Sequence, residues 1–194
     1  MDRYVEVTEK IREFTERSVK KTRYEHSVRV AEMCARICRF YSLDAEKGYL
    51  AGIGHDMCKD FPIDELLFLA AKDGNDIIDF ERNKPSLLHG RAAAVLMNLN
   101  FGIRDDDILE AVANHTSGKS GMCDLSKALF IADKIEPGRP QATEKYIEQK
   151  FSYSFDGMFY SVLKENYDYL VKKGYMVFPG TEDLLEEYKV EGVE

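Results

Sequence analysis

Apolar side chains recur at helical spacing through most of the chain, and this pattern restricts the fold more than any other feature of the sequence. The clearest stripe runs from about Thr22 to Tyr41 and consists of Val30, Met33, Cys34, Ile37, Cys38 and Tyr41. Spacings of three and four residues are typical of an amphipathic helix. No strand–helix alternation, repeat or low-complexity tract is present. We therefore predict an all-α protein.

Capping residues, glycines and prolines set the boundaries of the predicted helices. Asp44 is the predicted N-cap of a third helix that ends at Met57, and Asp124 is the predicted N-cap of a later helix. Residues 75–84 have no clear period and are predicted to form a loop. The predicted helices cover residues 4–18, 22–41, 45–57, 63–72, 87–99, 105–114 and 125–135, then one or two helices closing near 172–174 and a short helix after 181.

Length and composition exclude several classes of protein. The chain has 194 residues, enough for one domain with its own core. No apolar run is long enough to cross a membrane, and the first residues lack the apolar segment of a signal peptide, so we expect a cytoplasmic protein without a membrane partner. The net charge of −8 argues against general nucleic-acid binding. The four cysteines form no paired motif and are predicted to be reduced thiols.

All four histidines fall on the inner face or at the end of a predicted helix. They are His26, His55, His89 and His115. Asp56 follows one of them directly, and Asp133 lies in an apolar helical run. A single histidine in such a position is more often a satisfied core residue. Burying all six groups without partners would cost a few kcal/mol each, roughly. Imidazole and carboxylate are ligands that divalent transition metals prefer, so the joint pattern favours one buried metal centre.

Five segments of the chain resemble the ordered motifs of a known enzyme family. They are Arg23-Tyr24-Glu25-His26-Ser27, Gly54-His55-Asp56-Met57-Cys58-Lys59, Leu87-Leu88-His89-Gly90, Asn114-His115-Thr116 and the run from Ile131 to Arg139. Together they look like the HD-domain metal-dependent phosphohydrolases and, more narrowly, the symmetrical diadenosine tetraphosphate hydrolases. The resemblance implies one HD-type helical bundle over residues 1–194. Its metal-site core covers about 20–140, and a helical extension covers about 141–194.

The resemblance also implies two metal ions and their ligands. The ligands of the first ion would be His26, His55, Asp56 and Asp133. Those of the second would be His89 and His115, with Asp56 bridging the two ions. The family implies iron, although these ligands also accept manganese, zinc or nickel. Met57-Cys58 departs from the residues often found after the His-Asp pair. Cys58 is itself a weak ligand candidate, with a buried inert thiol as the ordinary alternative.

Several polar residues near the motifs are candidates for substrate contact. Lys59, one turn after His55, is either a catalytic phosphate contact or a solvated lysine. The candidates for binding phosphate are Arg91, Lys119 and Arg139, since arginine and lysine are the usual phosphate ligands. Thr116 could add a hydrogen bond. With Asp56, Lys59 completes the predicted catalytic residues.

A pair of divalent ions activates water as a nucleophile and neutralises charge on phosphate oxygens. We therefore predict hydrolysis of a dinucleoside polyphosphate, diadenosine tetraphosphate, to two ADP. The symmetric cut follows from the resemblance alone. One alternative is another HD nucleotide phosphohydrolase, acting on a nucleoside di- or triphosphate or a guanosine alarmone. A second is a nucleotide-binding regulatory protein without catalysis. The sequence leaves homodimer formation open.

Overall fold

The computed structural model describes residues 4–190 and 192–193. In these residues the chain is helical and contains no strand, which confirms the all-α prediction. None of the described helices is both long and apolar enough to cross a bilayer. The helices are α1 (Val5–Ser18), α2 (Lys21–Phe40), α3 (Ala45–Gly54), α4 (Ile63–Ala70), α5 (Asp79–Asn83), a 3₁₀ helix (Pro85–Leu88), α6 (His89–Phe101), α7 (Asp106–Asn114), α8 (Asp124–Ile135), α9 (Glu144–Phe151), α10 (Phe155–Lys172) and α11 (Thr181–Glu187).

Helix α3 is the central element of the fold. It packs against α1, α2, α7 and α8, and Leu50 and Ile53 are completely buried. Gly52 permits the close contact with α2, because a Cβ atom at this position would lie 2.5 Å from the Cα atom of Ala31. The close approach also fixes the position of the chain that follows α3, where His55 and Asp56 lie.

A second glycine brings α6 and α7 together. A Cβ atom at Gly90 would lie 2.8 Å from the carbonyl oxygen of Val112, so only glycine fits at this crossing without displacing the α7 backbone. His89 precedes this glycine, and His115 follows α7. The crossing therefore places two of the predicted ligands side by side.

The C-terminal helices complete the core on the α8 side. The ring of Phe159 in α10 lies 5.5 Å from that of Phe130 in α8 and 5.0 Å from that of Tyr188. The first half of α10 is buried, including the aromatic residues Phe159 and Tyr160. The second half differs, since Tyr169 is 53% exposed.

Three local predictions were wrong. The third helix ends at Gly54, because three-residue turns, such as Met57 N–H to the Gly54 carbonyl at 3.1 Å, replace helical hydrogen bonds. Residues 79–83 form α5, which is too short to show a helical period in the sequence. Asp124 is the first residue of α8, whose N-cap is Cys123, and its carboxylate pairs with Lys127 at 2.7 Å.

Candidate metal centre

The six predicted metal ligands lie together inside the helical bundle. They come from α2 (His26), the turn after α3 (His55 and Asp56), the start of α6 (His89), the end of α7 (His115) and α8 (Asp133). All six side chains are buried. The helix packing described above therefore assembles them from five separate segments of the chain.

One oxygen of Asp56 faces the side of the centre formed by α2 and α8. Its Oδ2 atom lies 4.0 Å from His26 Nε2 and 3.7 Å from His55 Nε2. Asp133 Oδ1 lies on the same side, 3.1 Å from His26 Nε2 and 4.0 Å from His55 Nε2. We call these four residues the first ligand group.

The other oxygen of Asp56 faces α6 and α7. Its Oδ1 atom lies 3.0 Å from His89 Nε2 and 3.7 Å from His115 Nε2. The two Nε2 atoms are 3.0 Å apart. We call Asp56, His89 and His115 the second ligand group. A single carboxylate thus contributes one oxygen to each group.

Hydrogen bonds fix the orientation of all four imidazole rings. In His55, His89 and His115, the Nδ1 atom lies 2.7–2.8 Å from the backbone carbonyl three residues earlier. In His26, Nδ1 lies 3.0 Å from the carboxylate of Glu136. A carbonyl only accepts hydrogen bonds, so Nδ1 of the first three rings is the protonated nitrogen. In a neutral ring this leaves the Nε2 lone pair directed into the centre, as in metal-bound histidines.

The residues present fit two metal ions. The Nε2 atoms of His26 and His55 are buried and have no hydrogen-bond partner among the described residues. Two ligand atoms held by one ion at about 2.1 Å lie roughly 3–4 Å apart, which matches the spacings within both groups. The Nε2 lone pairs of His89 and His115 would repel each other at 3.0 Å unless a cation or a proton lies between them. Coordination satisfies all of these atoms at once.

The protonation states of His55, His89, Asp56 and Asp133 suit coordination. In His26, burial lowers the pKa, but hydrogen bonds to Asp133 and Glu136 outweigh this and raise the pKa above its ordinary value. Burial lowers the pKa of His55 to about 3 and shifts the pKa of His89 in the same direction, so both rings are neutral at pH 7. Burial opposes ionisation of Asp56, but neighbouring His55 holds its pKa well below the usual range. Lys134 has the same effect on buried Asp133. Neutral imidazoles and ionised carboxylates are the forms that bind metals.

The chain is similar to several known proteins. The HD domain matches residues 23–138, more than half of the chain. A Staphylococcus aureus protein named "Bis(5'-nucleosyl)-tetraphosphatase, symmetrical" is 32% identical over 93% of each chain. The chain belongs to the HD-domain hydrolases, among the symmetrical bis(5'-nucleosyl)-tetraphosphatases. A Bacillus subtilis protein of the same name is 31% identical, over 82% of this chain and 85% of the relative.

A solved structure of an HD superfamily hydrolase has a fold similar to that of this chain. It is described as a "predicted HD superfamily hydrolase involved in NAD metabolism" from Clostridium acetobutylicum. The TM-score is 0.84 at 27% identity, over 93% of this chain and 95% of the other. This confirms the predicted HD-type bundle. As a member of this hydrolase family, the chain is an enzyme.

Glu136 supports the first ligand group and was not predicted. Its buried carboxylate contacts His26 Nδ1 at 3.0 Å and accepts a hydrogen bond from Arg29 Nε at 2.5 Å. Burial opposes its ionisation, but His26 and Arg29 lower its pKa to about 2. A carboxylate behind a ligating histidine fixes the ring and raises its basicity. The spacing from Asp133, about one helical turn, was the available signal in the sequence.

Two cations contact the shared carboxylate region. Arg23, which was not predicted, donates from Nη1 to Asp56 Oδ2 at 3.0 Å. Lys59 was predicted, and its Nζ lies 3.1 Å from His89 Nε2 and 3.9 Å from Asp56 Oδ1. Burial lowers the pKa of Lys59, while Asp56 opposes this shift. Both side chains retain partial exposure, so they are accessible to a phosphate at the centre.

Two further candidates also lie at the centre. Arg139 Nη2 donates to Asp133 Oδ1 at 2.7 Å. Thr116 Oγ1 lies 3.2 Å from His115 Nε2. Each therefore contacts a member of a ligand group, and its predicted contact with the substrate stays a prediction.

Arg91 and Lys119 are engaged elsewhere. Arg91 makes paired hydrogen bonds to Asp73, at 2.7 and 2.9 Å, and to Glu81, at 2.8 and 3.0 Å. Lys119 pairs with Glu110 at 2.6 Å. Among the described contacts, neither cation touches a ligand group. Their predicted binding of phosphate stays a prediction.

The cysteines are free thiols, as predicted. Cys58 is not a member of either buried group of metal-binding atoms in the described residues. Burial, with the charges of Glu65 and Asp56, raises its pKa to about 12, so the thiol is protonated. A protonated buried thiol is a packing residue rather than a ligand.

Proposed function

We propose that this enzyme hydrolyses diadenosine tetraphosphate to two molecules of ADP, using two divalent metal ions. The observation that carries the proposal is the division of the Asp56 carboxylate between two buried ligand groups. The substrate and the symmetric cut follow the names of relatives that match over most of the chain. The ions, when bound, supply an activated water and neutralise charge on the phosphate oxygens.

In this proposal the first ion is held by His26, His55, Asp56 and Asp133, and the second by Asp56, His89 and His115. We propose iron as the native metal, on the family resemblance. Nitrogen and oxygen ligands of this kind also bind manganese, zinc and nickel, so metal availability contributes to the choice. The free thiols support the cytoplasm as the compartment, because its reducing conditions keep cysteines from forming disulfides.

The chain surrounds the centre with cations although its net charge is −8. The four cations contact ligands of the two groups; they are Arg23, Lys59, Lys134 and Arg139. A tetraphosphate brings several negative charges, which these side chains can bind directly. By binding the non-bridging oxygens, they orient the phosphate chain for attack by water at a phosphorus atom, in line with the bridging oxygen that leaves.

Hydrolysis in oxygen-18 water tests both the activity and the position of the cut. Attack at an inner phosphorus with departure of the central bridging oxygen gives two ADP molecules, one of which carries the label. Departure of the outer bridging oxygen would instead give AMP and labelled ATP, which would contradict the symmetric cut. Attack at an outer phosphorus gives AMP and ATP. We expect labelled and unlabelled ADP as the nucleotide products. The rate at which they form should be proportional to the metal content of the sample. Labelled AMP, or consumption of a mononucleotide while diadenosine tetraphosphate is untouched, would overturn the proposal.

A further inference from the structure

A cleft of about 500 Å³ opens beside the metal centre and has no role in the site described so far. One wall is the segment from Lys134 to Gln141, and the other is α9 with one face of α10. On α10 the lining residues are Val162, Glu165, Asn166 and Tyr169, whose spacing places them on a single helical face. The volume lies within the range of small-molecule sites.

Two cations connect the cleft to the first ligand group. Lys134 and Arg139, which line the cleft, both contact the carboxylate of Asp133, at 2.9 and 2.7 Å. Lys134 Nζ also donates to the carbonyl of His115 at 2.9 Å. A molecule whose phosphates lie at the metal centre would therefore have its remaining part beside these two cations, in the cleft.

The wall formed by α9 and α10 is held in place by a buried lysine. Lys150 is 2% exposed and donates to Ser161 and to Glu165. The other carboxylate oxygen of Glu165 accepts a hydrogen bond from the hydroxyl group of Tyr146. Because Lys150 neutralises Glu165, the wall does not repel an anionic ligand strongly. The ring of Tyr146 is fixed before any ligand binds, which lowers the entropy cost of binding.

Two side chains on α10 remain available for recognition. The side chain of Asn166 makes no hydrogen bond to the described residues, although it is only partly exposed. Tyr169, three residues later, is 53% exposed. An asparagine amide offers a donor and an acceptor to the edge of a purine, and a tyrosine ring offers a stacking surface.

We propose that this cleft binds one purine nucleoside of the substrate, with Asn166 at the base edge and Tyr169 stacked on the ring. Lys134 and Arg139 join the nucleoside to the phosphates at the metal centre. This inference rests on the proposed function for the identity of the substrate. The residues of the cleft by themselves indicate only that its ligand is a nucleoside attached to phosphate.

The test uses metal-loaded protein and two variants, Tyr169→Ala and Asn166→Ala. Both residues lie on the solvent side of α10, so we expect the fold to be retained, which circular dichroism checks. Phe68→Ala is the control, because Phe68 is an aromatic residue of similar exposure, 63%, in α4, and it does not line the cleft. We measure KM and kcat for diadenosine tetraphosphate, and calorimetric affinity for ADP and for inorganic tripolyphosphate.

We expect Tyr169→Ala to raise KM and weaken ADP binding about tenfold, as for loss of one base-stacking contact. Asn166→Ala should give a smaller change in the same direction, with kcat and tripolyphosphate binding within about twofold of wild type. Unchanged ADP binding in both variants would overturn the cleft assignment while leaving the proposed function intact. If wild type does not hydrolyse the dinucleotide, the proposed function fails. The difference between ADP and tripolyphosphate binding still decides whether the cleft holds a nucleoside.

Discussion

The two ligand groups share Asp56 but differ in how much of the protein supports them. The first group has a second carboxylate, Asp133, and a charged partner behind one of its histidines, Glu136. The second group adds only two imidazoles, and backbone carbonyls orient both. Ligand number and charge both favour a cation at the first group. In the two-ion proposal, we therefore expect the ion at the first group to be held firmly and the ion at the second group to exchange more readily.

The change expected to have the largest effect removes what the two groups share. Asp56→Asn keeps the shape of the side chain but removes the charge that faces both groups. We expect activity to fall by several orders of magnitude, while circular dichroism shows a retained helical fold because the apolar core is untouched. Asp64→Asn, at an exposed position in the first turn of α4, is the control. Near-normal turnover at saturating metal would contradict the role given to Asp56.

A second change separates the two groups. His89→Ala removes one ligand of the second group and none of the first. Wild-type protein should contain close to two transition-metal ions per chain, and the variant close to one, by elemental analysis after purification without chelator. His26→Ala should lower the metal content at the first group instead. Wild-type protein with no bound metal would end the two-ion proposal, and equal losses in both variants would remove the distinction between the groups.

A third change weakens the first group without touching a ligand. Glu136→Gln leaves an acceptor for His26 but removes the negative charge behind the ring. Loss of such a partner typically lowers metal affinity about 10–100-fold. Titration with a competing chelator measures this effect, and Glu148→Gln, on the exposed face of α9, is the control. Unchanged affinity for both ions would mean that Glu136 serves only its ion pair with Arg29.

The clustering of the six candidate ligands could be predicted from the sequence, but the residues that support them could not. The chain has only four histidines, so their common position at inner helix faces was visible without a structure. For Glu136 the spacing from Asp133 was too weak a signal, because a glutamate near the end of a helix is usually exposed. Helix α5 was missed because five residues cannot display a helical period. The burial of Glu136 and the formation of α5 both depend on packing between residues that are far apart in the sequence.

Arg91 shows how helical geometry changes the interpretation of a residue. It follows His89 by two positions, and residues two apart on a helix point in nearly opposite directions. Its guanidinium accordingly faces away from the centre. It connects α6 to the turn after α4 through Asp73 and to α5 through Glu81. This network supports the helix that carries His89, as Arg29 and Glu136 support the first group.

Of these changes, Arg91→Ala should therefore have the smallest effect on the difference between the two ligand groups. Its effect should appear in the free energy of unfolding. The variant leaves Glu81, which is 6% exposed, without its cation, so the free energy of unfolding should fall by about 1–3 kcal/mol. Lys119→Ala, whose partner Glu110 is more exposed, should cost less than about 1 kcal/mol. Urea denaturation measures both values.

The pH dependence of the same measurement identifies the interaction. Burial opposes ionisation of Asp73, but Arg91 lowers its pKa below the ordinary value of 3.8. A lowered pKa in the folded state stabilises the fold above pH 3.8, and this stabilisation is lost as the pH falls through the folded value. The difference between wild type and Arg91→Ala should therefore shrink in acid. A pH-independent difference would exclude Asp73 as the partner. Unchanged stability with a tenfold higher KM would instead support Arg91 as a phosphate contact, because only substrate binding would then have been lost.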